Sequence, residues 1–294
     1  MLIAIFIIFI IIGLCIGVLS GFFGVGGGFV LTPLLLLLHY DPISAITISL
    51  LYTIGTSLSG VFVHIQLKNI IWKDAFIMGL SGIVMTQAAH PFVLYIEKID
   101  VDTWLIPLVY ILLLAYFAYK MIREHHRESF TNHLQVKSRI LYVLFLIVIG
   151  MTGGFMSTML GVGGGFIIVP LLISFLHYPA NQAVGTSLFA VLFIVIIGFL
   201  TYIVQSPIDL MTGALLIAGG LIGAQAGAKS LSYFRQAEVQ KRLGLLYIVT
   251  LMSLLLKLMD YQLAGLILLC LFVLYLLSLL SIRAVSRTRQ SVKQ

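Results

Sequence analysis

Two short stretches carry most of the chemistry open to this chain. Gly24-Val25-Gly26-Gly27-Gly28 and Gly161-Val162-Gly163-Gly164-Gly165 each stand between apolar runs, and each is followed by a phenylalanine and then by Pro33 or Pro170. Glycine permits positive φ and lets a ligand approach the main chain closely. A helix that starts just after such a cluster presents unpaired N–H groups and the positive end of its dipole. Anions bind at such ends. Gly24, Gly26, Gly27, Gly28, Gly161, Gly163, Gly164 and Gly165 are therefore candidate substrate ligands through their backbone. Close helix packing is the other use membrane proteins make of glycine, and the two readings stand side by side. A nucleotide-binding loop is excluded, because no Lys-Ser/Thr pair follows either cluster.

Polar side chains recur beyond the clusters. Thr47 and Ser49 in the first half match a Gly-Thr-Ser run in the second that contains Thr186 and Ser187. Their hydroxyls can donate to substrate oxygens or bond their own helix backbone. Gln87 and Gln225 lie within apolar segments, where an amide needs a partner, either a ligand or a neighbouring helix. His64 and His90 also lie in apolar sequence and are the candidates for proton coupling, against a packing role. His39 and His177 precede turn signals beside a tyrosine and read as interfacial anchors. Pro33 and Pro170 either release a carbonyl or kink the helix that follows each cluster. The sequence offers no metal-ligand spacing in the membrane segments and no nucleophile–base pair, so neither a metal, a cofactor nor an enzymatic activity is expected.

These residues need an apolar scaffold. The 294 residues are 61% hydrophobic and 9% charged, where a soluble domain carries roughly a quarter charged residues. Many apolar runs reach the roughly 18 residues that make a membrane-helix candidate. The first, at 2–20, lacks a basic leader and reads as a helix rather than a signal peptide. Cys15 and Cys270 sit in apolar sequence and read as small hydrophobes. The segments at 22–38 and 162–177 are different. Phe29 to Leu38 makes ~15 Å of helix against a hydrocarbon core of ~30 Å, which suits a half-helix or re-entrant element.

The chain repeats itself. Gly24 pairs with Gly161, Pro33 with Pro170, Tyr110 with Tyr247 and Lys120 with Lys257 at one constant spacing. A slip of one residue then relates His39 to His177, Ser49 to Ser187, Gly60 to Gly198 and Gln87 to Gln225. The organisation expected is a first membrane repeat over 1–122, a connecting loop over 123–138, a second repeat over 139–260, and a C-terminal helix with a basic tail over 261–294. Lys and Arg cluster in the central loop, before the tenth segment and in the tail. The positive-inside rule puts all three in the cytoplasm of a plasma or inner membrane, with the N-terminus outside. Five segments per repeat is an odd number, so the second repeat is inverted. The fold class expected is an all-α polytopic membrane protein of two inverted repeats, interrupted at the glycines. That pattern belongs to secondary transporters, with the site at the repeat interface.

The acidic residues all fall in loops or at segment ends. No mid-membrane carboxylate carries Na⁺ or H⁺, as coupled pumps often require. An inside-negative potential expels an anion by ~2.3 kcal/mol per charge per 100 mV, so outward transport needs no other coupling.

The stretches "GFFGVGGGFVLTPLL" and "GFMSTMLGVGGGFIIVPLL", with "AVGTSLF" and "GGLIGAQAGAKS", resemble the TauE/SafE family of sulfite-exporter-like permeases, across both halves. The resemblance implies transport of a sulfur-containing anion such as sulfite or a sulfonate. The first half departs from the pattern: "AITISLL" lacks the Gly-Thr of "AVGTSLF", and His90-Pro91 follows Gln87. The reading from sequence is an exporter working by alternating access. A passive anion channel and an importer of a small organic anion are the alternatives. The partners expected are the anion and lipid, with a homodimer left open and nucleic acid not expected.

Overall fold

A computed structural model describes residues 2–125, 139–203 and 210–291. Residues 126–138 of the expected central connection and the end of the basic tail lie outside them. The described residues form eleven helices in the order α1 (Leu2–Phe23), α2 (Gly28–Leu37), α3 (Pro42–Gln66), α4 (Trp72–Lys98), α5 (Asp102–His125), α6 (Arg139–Leu160), α7 (Gly165–Leu176), α8 (Ala180–Ile203), α9 (Leu210–Leu231), α10 (Gln236–Leu258) and α11 (Gln262–Ser291). Nine of these are long and apolar enough to cross a membrane. The exceptions are α2 and α7, at 10 and 12 residues. They rise only about 15 and 18 Å. They start later than the apolar runs at 22 and 162 suggest, because α1 continues to Phe23 and α6 ends at Leu160. The glycine segments between them are not helical.

Local signals explain several boundaries. Asp41 caps α3 by accepting from the Ser44 N–H at 2.9 Å, with Pro42 opening the helix. His39 and His177 take φ of 65° and 53° in the turns that end α2 and α7. Pro91 lies inside α4 and the helix runs through it.

The helices pack in a matched pattern across the chain. α1 lies on α9 and α4 on α6; α3 contacts α8 and α9; α5 lies on α10. Glycine makes the first two contacts close: a Cβ on Gly17 would meet the Gly220 carbonyl oxygen at 2.6 Å. Membrane helices often associate through such small residues, because lipid supplies no hydrophobic drive between them. Large apolar side chains such as Leu80, Val84, Leu112 and Ile222 point outward, whereas Thr53, Thr56, Ser57, Thr158 and Thr186 are fully buried. This is the arrangement a lipid solvent favours.

The turns after α3, α7 and α9 come together at one end of the bundle. There Asp74, in the first turn of α4, accepts from the Tyr142 hydroxyl at 2.5 Å and from the Tyr178 hydroxyl. Burial, then the Asp74 bond, pushes the Tyr178 hydroxyl well above the usual tyrosine range, so it remains a donor. This cluster ties α4 to α6 and to the connection between α7 and α8.

Candidate functional site

The two glycine segments lie directly against each other at the centre of the bundle. A Cβ on Gly26 would meet the Val162 carbonyl oxygen at 3.5 Å and the Gly163 Cα at 3.7 Å; one on Gly165 would meet Gly24 O at 2.5 Å. Positive φ makes these turns possible: Gly24 and Gly26 have φ of 67° and 77°, and Gly161, Gly163 and Gly164 have 68°, 78° and 74°. The segments are not identical, since Gly27 has φ of −65° while its counterpart Gly164 is left-handed. Gly28 and Gly165 open the half-helices α2 and α7.

Each segment is held by the other half of the chain. The Ser187 hydroxyl donates to Gly24 O at 3.3 Å, and the Thr32 hydroxyl donates to Gly161 O at 3.2 Å. The Gly28 N–H donates to Thr53 Oγ at 2.9 Å. Behind the segments Phe29 and Phe166 stack with centroids 5.6 Å apart, and Tyr110 and Tyr247 flank them. The Tyr110 hydroxyl donates to Phe29 O at 2.6 Å, and the Tyr247 hydroxyl to Phe166 O at 2.8 Å.

What remains open is mostly donor. Among the described residues, the N–H groups of Gly26, Gly27, Gly163, Gly164, Gly165 and Phe166 reach no protein acceptor. Those of Gly27, Gly164, Gly165 and Phe166 are orphan donors of two helix N-termini, and those of Gly26 and Gly163 stand just before them. The segments also border a small cavity of about 10 Å³, lined by Ser20, Gly26, Gly27, Phe29 and Leu246 among others. That space holds about one water.

The structure brings only some of the sequence candidates to this place. All eight glycines are there, with Ser187. Ser49 is buried on α3 with a hydroxyl that has no partner. Thr47 uses its hydroxyl on its own helix, donating to Ile43 O at 2.7 Å. Thr186 turns to the α3–α4 connection, where it accepts from the Ile71 N–H at 3.1 Å. Gln87 and Gln225 are both on exposed faces of their helices, and Gln87 reaches Thr201 Oγ at 3.5 Å. His64 is fully buried beside Asn69, whose amide lies 3.2 Å from its Nδ1, and its Nε2 has no hydrogen bond. His90 packs edge-on against Tyr202 at 4.8 Å.

Sequence reasoning missed four residues that shape the site: Ser20, Ser157, Tyr110 and Tyr247. Each pair is related by the spacing that relates Gly24 to Gly161, which was the available signal. Among the described residues no group of three or more His, Cys, Asp or Glu is placed to hold a metal ion.

Residues 9–256 match the family model described as sulfite exporter TauE/SafE. A probable membrane transporter protein of Methanocaldococcus jannaschii is 28% identical over 202 residues, covering 66% of this chain and 71% of that protein. One from Haemophilus influenzae is 30% identical over 67% of this chain and 73% of its own length. A third, from Bacillus subtilis, is 24% identical over 76% of this chain and 87% of its own. No solved structure matches the chain. With nine helices among the described residues long and apolar enough to cross a membrane and a match spanning both glycine segments, this multi-pass membrane transporter belongs to the sulfite exporter TauE/SafE family.

Proposed function

We propose that the protein exports a small sulfur-containing oxyanion, such as sulfite or an organosulfonate, by alternating access between two inverted halves. The observation that carries this reading is the meeting of two glycine segments, one from each half, with unpaired N–H groups and two half-helix N-termini at their junction. Backbone dipoles of this kind stabilise an anion without a buried cation, and they release it readily. The matched packing of α1 on α9 and α4 on α6 supports a two-fold arrangement of the halves.

The proposed orientation has the central connection and the C-terminus in the cytoplasm. The membrane potential then expels the anion without an ion partner.

The test is flux from proteoliposomes loaded with sulfite, sulfate, methanesulfonate or a small carboxylate, with and without pH and potential gradients. Saturable flux of the sulfur anions, faster under an inside-negative potential in right-side-out vesicles, is the expected result. Flux of carboxylates alone would sink the substrate assignment, and large unitary currents would replace the carrier with a channel.

A further inference from the structure

Two serines one turn before the glycine segments keep unpartnered hydroxyls. Ser20 and Ser157 precede Gly24 and Gly161 at the same interval, and the Gly24 and Gly161 N–H groups donate to their carbonyls at 2.9 Å in both halves. Ser20 is 2% exposed and Ser157 0%, and neither hydroxyl has a hydrogen-bond partner. A buried serine on a helix ordinarily bonds the carbonyl one turn back, as Thr47 and Thr53 do here. Leaving such a group unsatisfied is destabilising. Among the described residues Ser20, Ser49, Ser57 and Ser157 carry that cost, and of these Ser20 and Ser157 stand at equivalent places of the two segments. Ser20 also lines the small cavity together with Gly26 and Gly27.

The acceptors around the site are largely occupied. Gly24 O and Gly161 O accept from Ser187 and Thr32, and Phe29 O and Phe166 O accept from the two tyrosines. Gly27 O accepts from Leu31, and Gly164 O from Ile167 and Ile168. Among the described residues Val25 O, Val162 O and Gly163 O accept no hydrogen bond, and they are fewer than the open N–H groups. Open donors therefore exceed open acceptors. A ligand oxygen that brings a proton satisfies fewer of these donors, whereas a proton-free oxygen accepts from several groups at once.

Building on the proposed anion transport, we infer that Ser20 and Ser157 are substrate-binding hydroxyls which, with the glycine N–H groups, select a fully deprotonated oxyanion. A sulfonate or sulfate fits this site, and a hydrogen phosphonate or hydrogen phosphate of the same shape does not.

Methanesulfonate and methylphosphonate are a matched pair of probes. Sulfonate carries no proton across the accessible pH range, while methylphosphonate keeps one at mildly acidic pH and loses it at alkaline pH. The full-length protein in detergent or proteoliposomes is assayed for methanesulfonate binding and flux in competition with each anion. Methylphosphonate is expected to compete at least about tenfold more weakly at mildly acidic pH, with the gap closing at alkaline pH. Ser20→Ala and Ser157→Ala are each expected to weaken methanesulfonate binding about tenfold. The ligand-free variants should melt no lower than the wild type, since each loses an unsatisfied buried hydroxyl; a structural serine would instead lower the melting point and leave affinity alone. Equal competition by the two probes at mildly acidic pH, or wild-type affinity in both alanine variants, overturns the inference and leaves anion transport standing. If neither sulfite, sulfate nor methanesulfonate binds or crosses, the transport reading and this inference fall together.

Discussion

Tyr110 supplies the hydrogen bond that Pro33 cannot. In α2 the Phe29 carbonyl would accept from the residue four places on, which is Pro33 and has no N–H. The Tyr110 hydroxyl of α5 takes its place at 2.6 Å. The same substitution of donors occurs in α7, where Pro170 leaves Phe166 O to Tyr247 at 2.8 Å. The prolines thus release a carbonyl, and a tyrosine from a neighbouring helix satisfies it.

Tyr110→Phe should destabilise the detergent-solubilised protein by about 1–3 kcal/mol, because it leaves a buried carbonyl without a donor. Pro33→Ala in the same chain should recover part of that loss, since the alanine brings back a backbone N–H. A double-mutant cycle on thermal midpoints checks the coupling. Additive effects would mean that the bond does not compensate the proline.

Glycines of this chain differ sharply in what they tolerate. Gly164 has φ of 74°, and a Cβ there would meet the Gly153 carbonyl oxygen at 2.6 Å. Gly164→Ala should therefore cost more than the ~1–2 kcal/mol of a left-handed residue alone. Gly198 lies in α8 with its nearest side-chain contact, Leu50, at 3.5 Å. Gly198→Ala should be neutral or stabilising by up to about 1 kcal/mol through helix propensity. Thermal unfolding of the two variants ranks them directly.

The cluster at Asp74 should behave as a unit. Tyr142→Phe and Tyr178→Phe each remove a donor from a largely buried carboxylate, at a cost of about 1.5–3 kcal/mol. The double variant should not lose the sum of the two, because each tyrosine also contacts the other at 2.7 Å. Thermal midpoints of the three proteins supply the measurement, and strict additivity would count against a shared network.

Transport by potential alone makes neither buried histidine essential. His90→Gln should leave flux unchanged, with or without a pH gradient, since His90 meets Tyr202 only through ring contact. Loss of gradient-driven accumulation in this variant would assign the residue a proton-carrying role.

The short helices could be read in advance because they rest on local rules: glycine runs break helices, and ten apolar residues cannot span a bilayer. Which face of a membrane helix turns inward is harder. Lipid-facing and core-facing positions are both apolar here, so Gln87 and Gln225 gave no sign that they lie on exposed faces. Thr186 and Ser187 are adjacent in sequence, yet about 100° apart around α8, and only Ser187 reaches Gly24. Ser20 and Ser157 share the repeat spacing, but a serine in an apolar run ordinarily bonds its own helix. Their hydroxyls are left over only once every neighbour has been placed.

The glycine seam between α1 and α9 has a consequence for biosynthesis. Helix α1 finds its closest partner in α9, nearly two hundred residues later in the chain. At translation rates of about 5–20 residues per second, α1 waits in the bilayer for roughly ten to forty seconds with its glycine face uncovered. The corresponding seam between α4 and α6 closes far sooner. The seam between α4 and α6 therefore locks well before the one between α1 and α9.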